Sequence, residues 1–331
     1  MTPLDDAGLP AWLEARGVLK AAGARVEPAG DGNINWVRRV IAADGTRAVV
    51  KQARPALERF PQYQVDTARI VFEARYGEVL RRMVPGQARV LPRLLHFDES
   101  ERALVMEDVQ PAERLDALLD RGAAAPETSF ALGEFLGAVH RATANVAVEL
   151  APQFANDEMR RLHGEHIFAL PFAPNDFPIE PRLRALADDA LARPELRERI
   201  AELRERYYAA RECLVHGDVQ AGNVLVQAGG RPRLLDAEIA HVGDPAFDLG
   251  QALAHVHVHR VRAQATFACD AAERALVDGY APERERLARA RRYAGVEILR
   301  RAIGAARLSL LGTTARAERA LALGCALILS G

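Results

Sequence analysis

The stretch Leu214–Ala240 reads LVHGDVQAGNVLVQAGGRPRLLDAEIA, and its layout decides the fold. Apolar runs frame it: Cys213-Leu214-Val215, then Val224-Leu225-Val226, then Leu234-Leu235 ahead of Asp236. Between the first two runs lie His216-Gly217-Asp218 and, five positions after Asp218, Asn223. Gly229-Gly230 with Arg231-Pro232 is a turn signal, so residues 223–227 and 233–236 are predicted to pair as a β-hairpin. A loop carrying Asp218, a strand opening at Asn223 and a strand ending at Asp236 then meet at one end of that hairpin. Three oxygen-bearing side chains converge there. Singly, Asp and Asn are ordinary turn formers; the ordered array is what points to chemistry.

Phosphoryl transfer needs this set. A carboxylate, Asp218, accepts the proton of an attacking hydroxyl. An amide oxygen, Asn223, and a second carboxylate, Asp236, hold Mg²⁺ against the phosphates of ATP. Asp and Asn five apart, with another Asp soon after, is the spacing of a kinase catalytic loop. Here His-Gly-Asp stands where kinases carry His-Arg-Asp, and Asp-Ala-Glu where they carry Asp-Phe-Gly.

The totals set the class. The chain has 331 residues, 49% hydrophobic and 27% charged, with a net charge of −1, which gives room for two lobes of a globular protein. A near-zero charge argues against a nucleic-acid partner. No apolar run approaches the roughly 20 residues that span a bilayer, so no membrane segment is expected. The opening MTPLDDAGLP shows no signal-peptide pattern. Three cysteines, Cys213, Cys269 and Cys325, fit reduced thiols and a cytoplasmic setting.

Among 44 basic residues only Lys20 and Lys51 are lysine. A chain so drawn to arginine keeps lysine where a compact ammonium is required, which singles out Lys51. Upstream, Gly30-Asp31-Gly32-Asn33 is a small-residue loop whose backbone can approach phosphates. Residues 36–41 and 47–52 read as strands joined across Asp44-Gly45, and a helix is predicted over 66–83 with Asp66 as its N-cap. In a kinase layout Gly30, Gly32 and Asn33 lie over the phosphates, Lys51 pairs them, and a helix glutamate holds the lysine. Glu73 suits that place, with Glu78 as the alternative. Residues 90–97 and 103–107 form a second hairpin. The backbone of the segment from Met106 through Glu107 to Val109 is the expected hinge beside an adenine edge.

A helix over 4–22, broken near Gly17, is expected as an N-terminal cover. Beyond the hinge the chain reads as mostly helical, over 113–119, 129–144 and 181–210, with an irregular segment over 152–178. Asp248 reads as an N-cap that braces the Asp218 loop. His255, His257 and His259 would share one face of a strand and invite a metal. Residues 250–261 read instead as a helix with His255 and His259 at i,i+4, and no further ligand is evident.

Collinear segments carry a family likeness: GDGNINWVRRV (30–40), VVKQARP (49–55), RIVFEARYGEVL (69–80), LLHFDESERALVMEDV (94–109), HGDVQAGNVLV (216–226), LLDAEIAHVGDPAFDLG (234–250) and AGVEILRRAIGAARLSLL (294–311). Together they resemble the 5-methylthioribose kinase branch of the aminoglycoside phosphotransferase superfamily, within the protein-kinase-like fold. The resemblance implies an α+β, two-lobed architecture. A small antiparallel-sheet lobe with one helix takes residues 1–109, and a larger, mostly helical lobe takes 110–331. It implies Arg300 and Arg301 beside the sugar and the transferring phosphoryl group, Glu238 as an added metal ligand, and a homodimer. The implied reaction moves the γ-phosphoryl group of ATP to the anomeric hydroxyl of 5-methylthioribose or a related ribose, a step of methionine salvage. Another hydroxylated acceptor, or nucleotide binding without catalysis, are the alternatives. Where the family's loop runs HGDLHTGS, Gln220 and Asn223 stand here, and residues 250–294 are shorter than in the family.

Overall fold

A computed structural model describes residues 2–30, 35–56, 64–123, 125–263, 266–308 and 311–330. Five antiparallel strands, β1 (Arg25–Pro28), β2 (Trp36–Ile41), β3 (Arg47–Gln52), β4 (Leu94–Asp98) and β5 (Ala103–Glu107), form one sheet in the order β1-β2-β3-β5-β4. Lys51 sits in its central strand, between Val37 on β2 and Leu104 on β5. One face of the sheet buries Trp36, Val40, Ala48, Val50 and Val105 under the short helix α1 (Leu9–Glu14). The other face packs against α2 (Arg69–Met83) through Ile70, Ala74 and Leu104.

The helical lobe follows. It begins with strand β6 (Glu113–Arg114) and the helices α3 (Leu115–Asp120), α4 (Pro126–Ala144), α5 (Ala147–Leu150), α6 (Asp157–Phe168), α7 (Pro181–Ala192) and α8 (Pro194–Ala209). Four short strands come next, β7 (Cys213–Val215), β8 (Val224–Gln227), β9 (Arg231–Leu234) and β10 (His241–Gly243). The helices α9 (Pro245–Ala263), α10 (Thr266–Tyr280), α11 (Arg284–Ile303) and α12 (Thr314–Ser330) complete it. Leu132, Phe135, Leu136 and Val139 line one stripe of α4 and enter the main core, the spacing an amphipathic helix requires. Gly133 on α4 and Gly279 on α10 let these two helices touch backbone to backbone, since a Cβ at either would collide with a facing carbonyl. The result is a small sheet lobe with one packed helix joined to a larger helical lobe, the two-lobed kinase-like arrangement.

Several local readings need correction. The N-terminal helix covers only Leu9–Glu14, because Leu9 and Leu13 alone anchor it before Gly17 turns to φ +67°. Asp66 does not cap α2; its carboxylate accepts from the Ala68 N–H in a turn one residue before the helix. Residues 113–114 are strand, paired with β8, before α3 begins. The segment read as irregular contains α6, a 12-residue helix. The second strand of the hairpin is Arg231–Leu234, so Asp236 lies beyond it in a left-handed conformation, φ 65°. Asp248 lies inside the first turn of α9, where Asp244 accepts from the Ala246 N–H. Among the described residues no helix is long and apolar enough to cross a membrane. All three cysteines are free and buried.

Candidate active site

The 216–223 loop is held from beneath by one carboxylate. Asp248 accepts the N–H groups of His216 at 2.8 Å and Gly217 at 2.9 Å, and pairs with His140 Nε2 at 3.1 Å. Burial works against the ionised Asp248, but His140 and those donors outweigh it and depress its pKa. Gln251, also on α9, accepts the Val219 N–H at 3.0 Å. Gly217 is required on two counts: its φ is +85°, and a Cβ there would sit 2.8 Å from the Ile239 carbonyl oxygen. His216 is fully buried against Tyr76, and burial lowers its pKa, so it is a neutral packing group.

Asp218 rises out of this loop. Its Oδ2 accepts from Gln220 Nε2 at 2.9 Å and from Asn223 Nδ2 at 2.8 Å. Burial pushes its pKa up to about 6, with Arg301 and Arg300 pulling the other way. The Asn223 amide nitrogen is turned to Asp218, which leaves its amide oxygen pointing elsewhere. The arginine pair comes from the end of α11. Arg301 donates to Glu297 at 2.6 Å and to Gln220 Oε1 at 3.0 Å, and Arg300 Nε lies 2.9 Å from Glu297.

A second cluster joins the lobes. Lys51 Nζ is 2.6 Å from Glu73 and 2.6 Å from Asp236. Glu78 is exposed, so Glu73 is the helix partner. Glu238 is buried; it accepts from Asn35 Nδ2 at 2.7 Å and lies 3.5 Å from Arg69 Nε and 3.8 Å from Lys51. Arg69 in turn donates to Asn35 Oδ1 at 2.8 Å. Burial opposes the Lys51 charge, yet Asp236 and Glu73 raise its pKa and keep the ammonium. Asp236 is depressed, with Lys51 outweighing burial. Burial pushes Glu73 up to about 7 although Lys51 pulls it down. Three carboxylates thus share two cations, an imbalance that a divalent cation would relieve.

The donor set fits Mg²⁺. Asn223 keeps an amide oxygen to offer, and the Asp236 side chain is 44% exposed, so both are hard oxygen donors of the kind Mg²⁺ takes together with phosphate oxygens. Among the described residues no group of three or more His, Cys, Asp or Glu forms a metal cage. His255, His257 and His259 lie on α9, with His255 3.9 Å from Glu297, His257 3.8 Å from Glu273 and His259 bonded to Asp120 at 2.6 Å.

Of the other expected positions, Gly30 has φ +87°, and Gly32 and Asn33 lie outside the described residues. At the hinge, the Glu107 N–H is donated to Arg93 and the Val109 carbonyl accepts from Gln227 at 2.8 Å. The Glu107 carboxylate pairs with Arg233. Sequence reasoning missed Asn35, Arg69, Gln220 and Glu297. Glu297 stands three and four residues before the arginines on one helix face, a spacing that could have named it.

The signature of the phosphotransferase enzyme family matches residues 25–289. Methylthioribose kinase of Cronobacter sakazakii is 28% identical over 383 aligned positions, covering 96% of this chain and 92% of that protein. Methylthioribose kinase of Bacillus velezensis is 31% identical over 69% of this chain and 59% of its own length, so this chain spans less than two thirds of that relative. In fold, the chain is similar to the crystal structure of a spectinomycin phosphotransferase in complex with ADP and spectinomycin, at 11% identity with a TM-score of 0.55 over 99% of both chains. A family signature over most of the sequence, on a kinase-like fold, makes this chain a member of the phosphotransferase enzyme family, an enzyme that moves a phosphoryl group to an alcohol.

Proposed function

We propose that the protein transfers the γ-phosphoryl group of ATP to a hydroxyl of a small sugar, with 5-methylthioribose or a related 5-substituted ribose as acceptor at its anomeric hydroxyl. That is a reaction of methionine salvage. The observation that carries this reading is the pairing of Lys51 with both Glu73 and Asp236 at 2.6 Å, next to a separately braced loop that presents Asp218. The methylthioribose kinases to which the chain is similar support the choice of sugar.

Asp218 is the base. Its Oδ2 is occupied by two N–H donors, so Oδ1 receives the hydroxyl proton as the sugar oxygen attacks the γ-phosphorus. Lys51, oriented by Glu73, takes nucleotide phosphate oxygens. Asn223 and Asp236 would hold Mg²⁺, with Glu238, which lies 3.8 Å from the same Lys51, as the added ligand; when bound, the ion would neutralise phosphate charge. Gly30 opens the loop expected over the phosphates, and the hinge from Glu107 to Val109 borders the base. Arg300 and Arg301, both buried and near enough to pull the Asp218 pKa down, stabilise negative charge on the transferring group and donate to sugar hydroxyls. Two guanidinium groups at the acceptor side favour a neutral or anionic acceptor over a cationic one.

The test is ADP release by the purified protein with Mg-ATP, comparing 5-methylthioribose, ribose, 5-deoxyribose, choline and kanamycin. The reading predicts strong preference for the methylthio sugar. Preference for another acceptor rejects the sugar and keeps the chemistry; nucleotide binding with no ADP release for any acceptor favours a binding protein.

A further inference from the structure

Gln220 stands between two groups with opposite demands. Asp218 Oδ2, 2.9 Å from its amide nitrogen, can only accept a hydrogen bond. Arg301 Nη2, 3.0 Å from its amide oxygen, can only donate. These partners fix the sense of the amide, and no aliphatic or purely acidic side chain of this length serves both. Among the described residues the remaining restraints are few. Asp218 Oδ2 keeps one other donor, Asn223 Nδ2. Arg301 keeps Glu297 and a long bond to the Ala306 carbonyl at 3.4 Å. Gln220 is therefore the link between the loop that carries Asp218 and the helix that carries the arginine pair.

We propose that Gln220 is a positioning residue for phosphoryl transfer, holding the Asp218 carboxylate and the Arg301 guanidinium in fixed register across the acceptor site. The inference rests on the kinase reading above and extends it to a residue outside the base, lysine and metal-binding set. With Gln220 in place, the carboxylate cannot swing about its last torsion, so Oδ1 stays on the side where the acceptor hydroxyl arrives. Arg301 is held at the same time, so the groups serving the two ends of the transfer keep their spacing. Beneath Gln220 lies a cavity of about 20 Å³ bounded by Ser129, Leu132, Ala252 and His255.

The experiment measures initial rates of the full-length wild type, Gln220→Met and Gln220→Glu over ATP and acceptor concentrations, with the thermal midpoint of each protein recorded. Methionine keeps the size and removes both hydrogen bonds. Glutamate keeps the acceptor toward Arg301 but turns a like charge on Asp218. Small misplacements of reacting groups cost large factors, so Gln220→Met is expected to lose about 10- to 100-fold in kcat with KM for ATP within about twofold. Gln220→Glu is expected to lose more. A purely structural role would lower the thermal midpoint without this split between kcat and KM. If either variant does not fold, the other carries the test. A wild-type kcat in Gln220→Met, or a Gln220→Glu faster than Gln220→Met, overturns the proposal. If the wild type itself moves no phosphoryl group to any acceptor, the kinase reading fails and takes this inference with it; a working wild type beside a working methionine variant rejects Gln220 alone.

Discussion

At the scale of single residues, Asp218 and Lys51 carry the strongest expectations. Asp218 must be ionised to accept a proton, and burial sets its pKa at about 6. Catalytic efficiency should therefore fall as pH drops through about 6, in a kcat/KM profile, which reports the ionisation of the free enzyme. The same shift has a stability sign. A carboxyl group whose folded pKa lies above its unfolded value stabilises the fold at low pH and loses that contribution as pH rises through the folded value. Near pH 7.5 the ionised Asp218 is a cost, so Asp218→Asn should match or exceed the wild type in thermal midpoint. Lys51 is the opposite case. It is 2% exposed and serves Glu73 and Asp236 together, so Lys51→Met should cost roughly 3 kcal/mol in denaturant unfolding by leaving the buried Glu73 without its cation. These residues were legible in the sequence because the chemistry needs their types at short spacing, or because lysine is so rare in this chain. Asn35 and Arg69 were not: Asn35 meets Arg69 across 34 positions and Glu238 across 203, and such contacts leave no periodic trace.

At the scale of elements, the loop geometry depends on α9. Asp248→Ala would orphan two backbone N–H groups and His140 in a buried place. Unsatisfied buried donors cost about 1–3 kcal/mol each, so stability should drop by on the order of 3 kcal/mol, and kcat should fall with it. Urea unfolding and steady-state rates on the same sample check both. The strands and α2 were readable because apolar residues recur at their proper periods. The helix α6 was not, since its sequence DEMRRLHGEHIF turns Arg160, His163 and Gly164 inward along with Met159, Ile167 and Phe168. A helix that buries arginine, histidine and glycine shows little amphipathic contrast. The strand expected to reach Asp236 ends two residues earlier for a related reason: Leu235 continues the apolar run and its N–H still meets the Asn223 carbonyl at 2.8 Å, although the strand register ends at Leu234.

At the scale of the whole molecule, the lobes meet through charge. Lys51 of the sheet reaches Asp236 of the helical lobe, and Asn35 with Arg69 reaches Glu238. A ligand that binds across this seam stabilises both lobes together. At Mg-ATP about 100-fold above its Kd, the folded state should gain about 2.7 kcal/mol, and chelating the magnesium should remove most of the resulting rise in thermal midpoint. The two-lobed plan was legible from the order of motifs, whereas the Asn35–Arg69–Glu238 link emerged only once both lobes were assembled. The most direct measurement of the central claim is transfer of label from γ-labelled ATP to 5-methylthioribose, run side by side with the wild type and Asp218→Asn. The account predicts labelled sugar phosphate from the wild type and a loss on the order of 10²-fold or more in the variant; an Asp218→Asn protein that labels the sugar at the wild-type rate would contradict it.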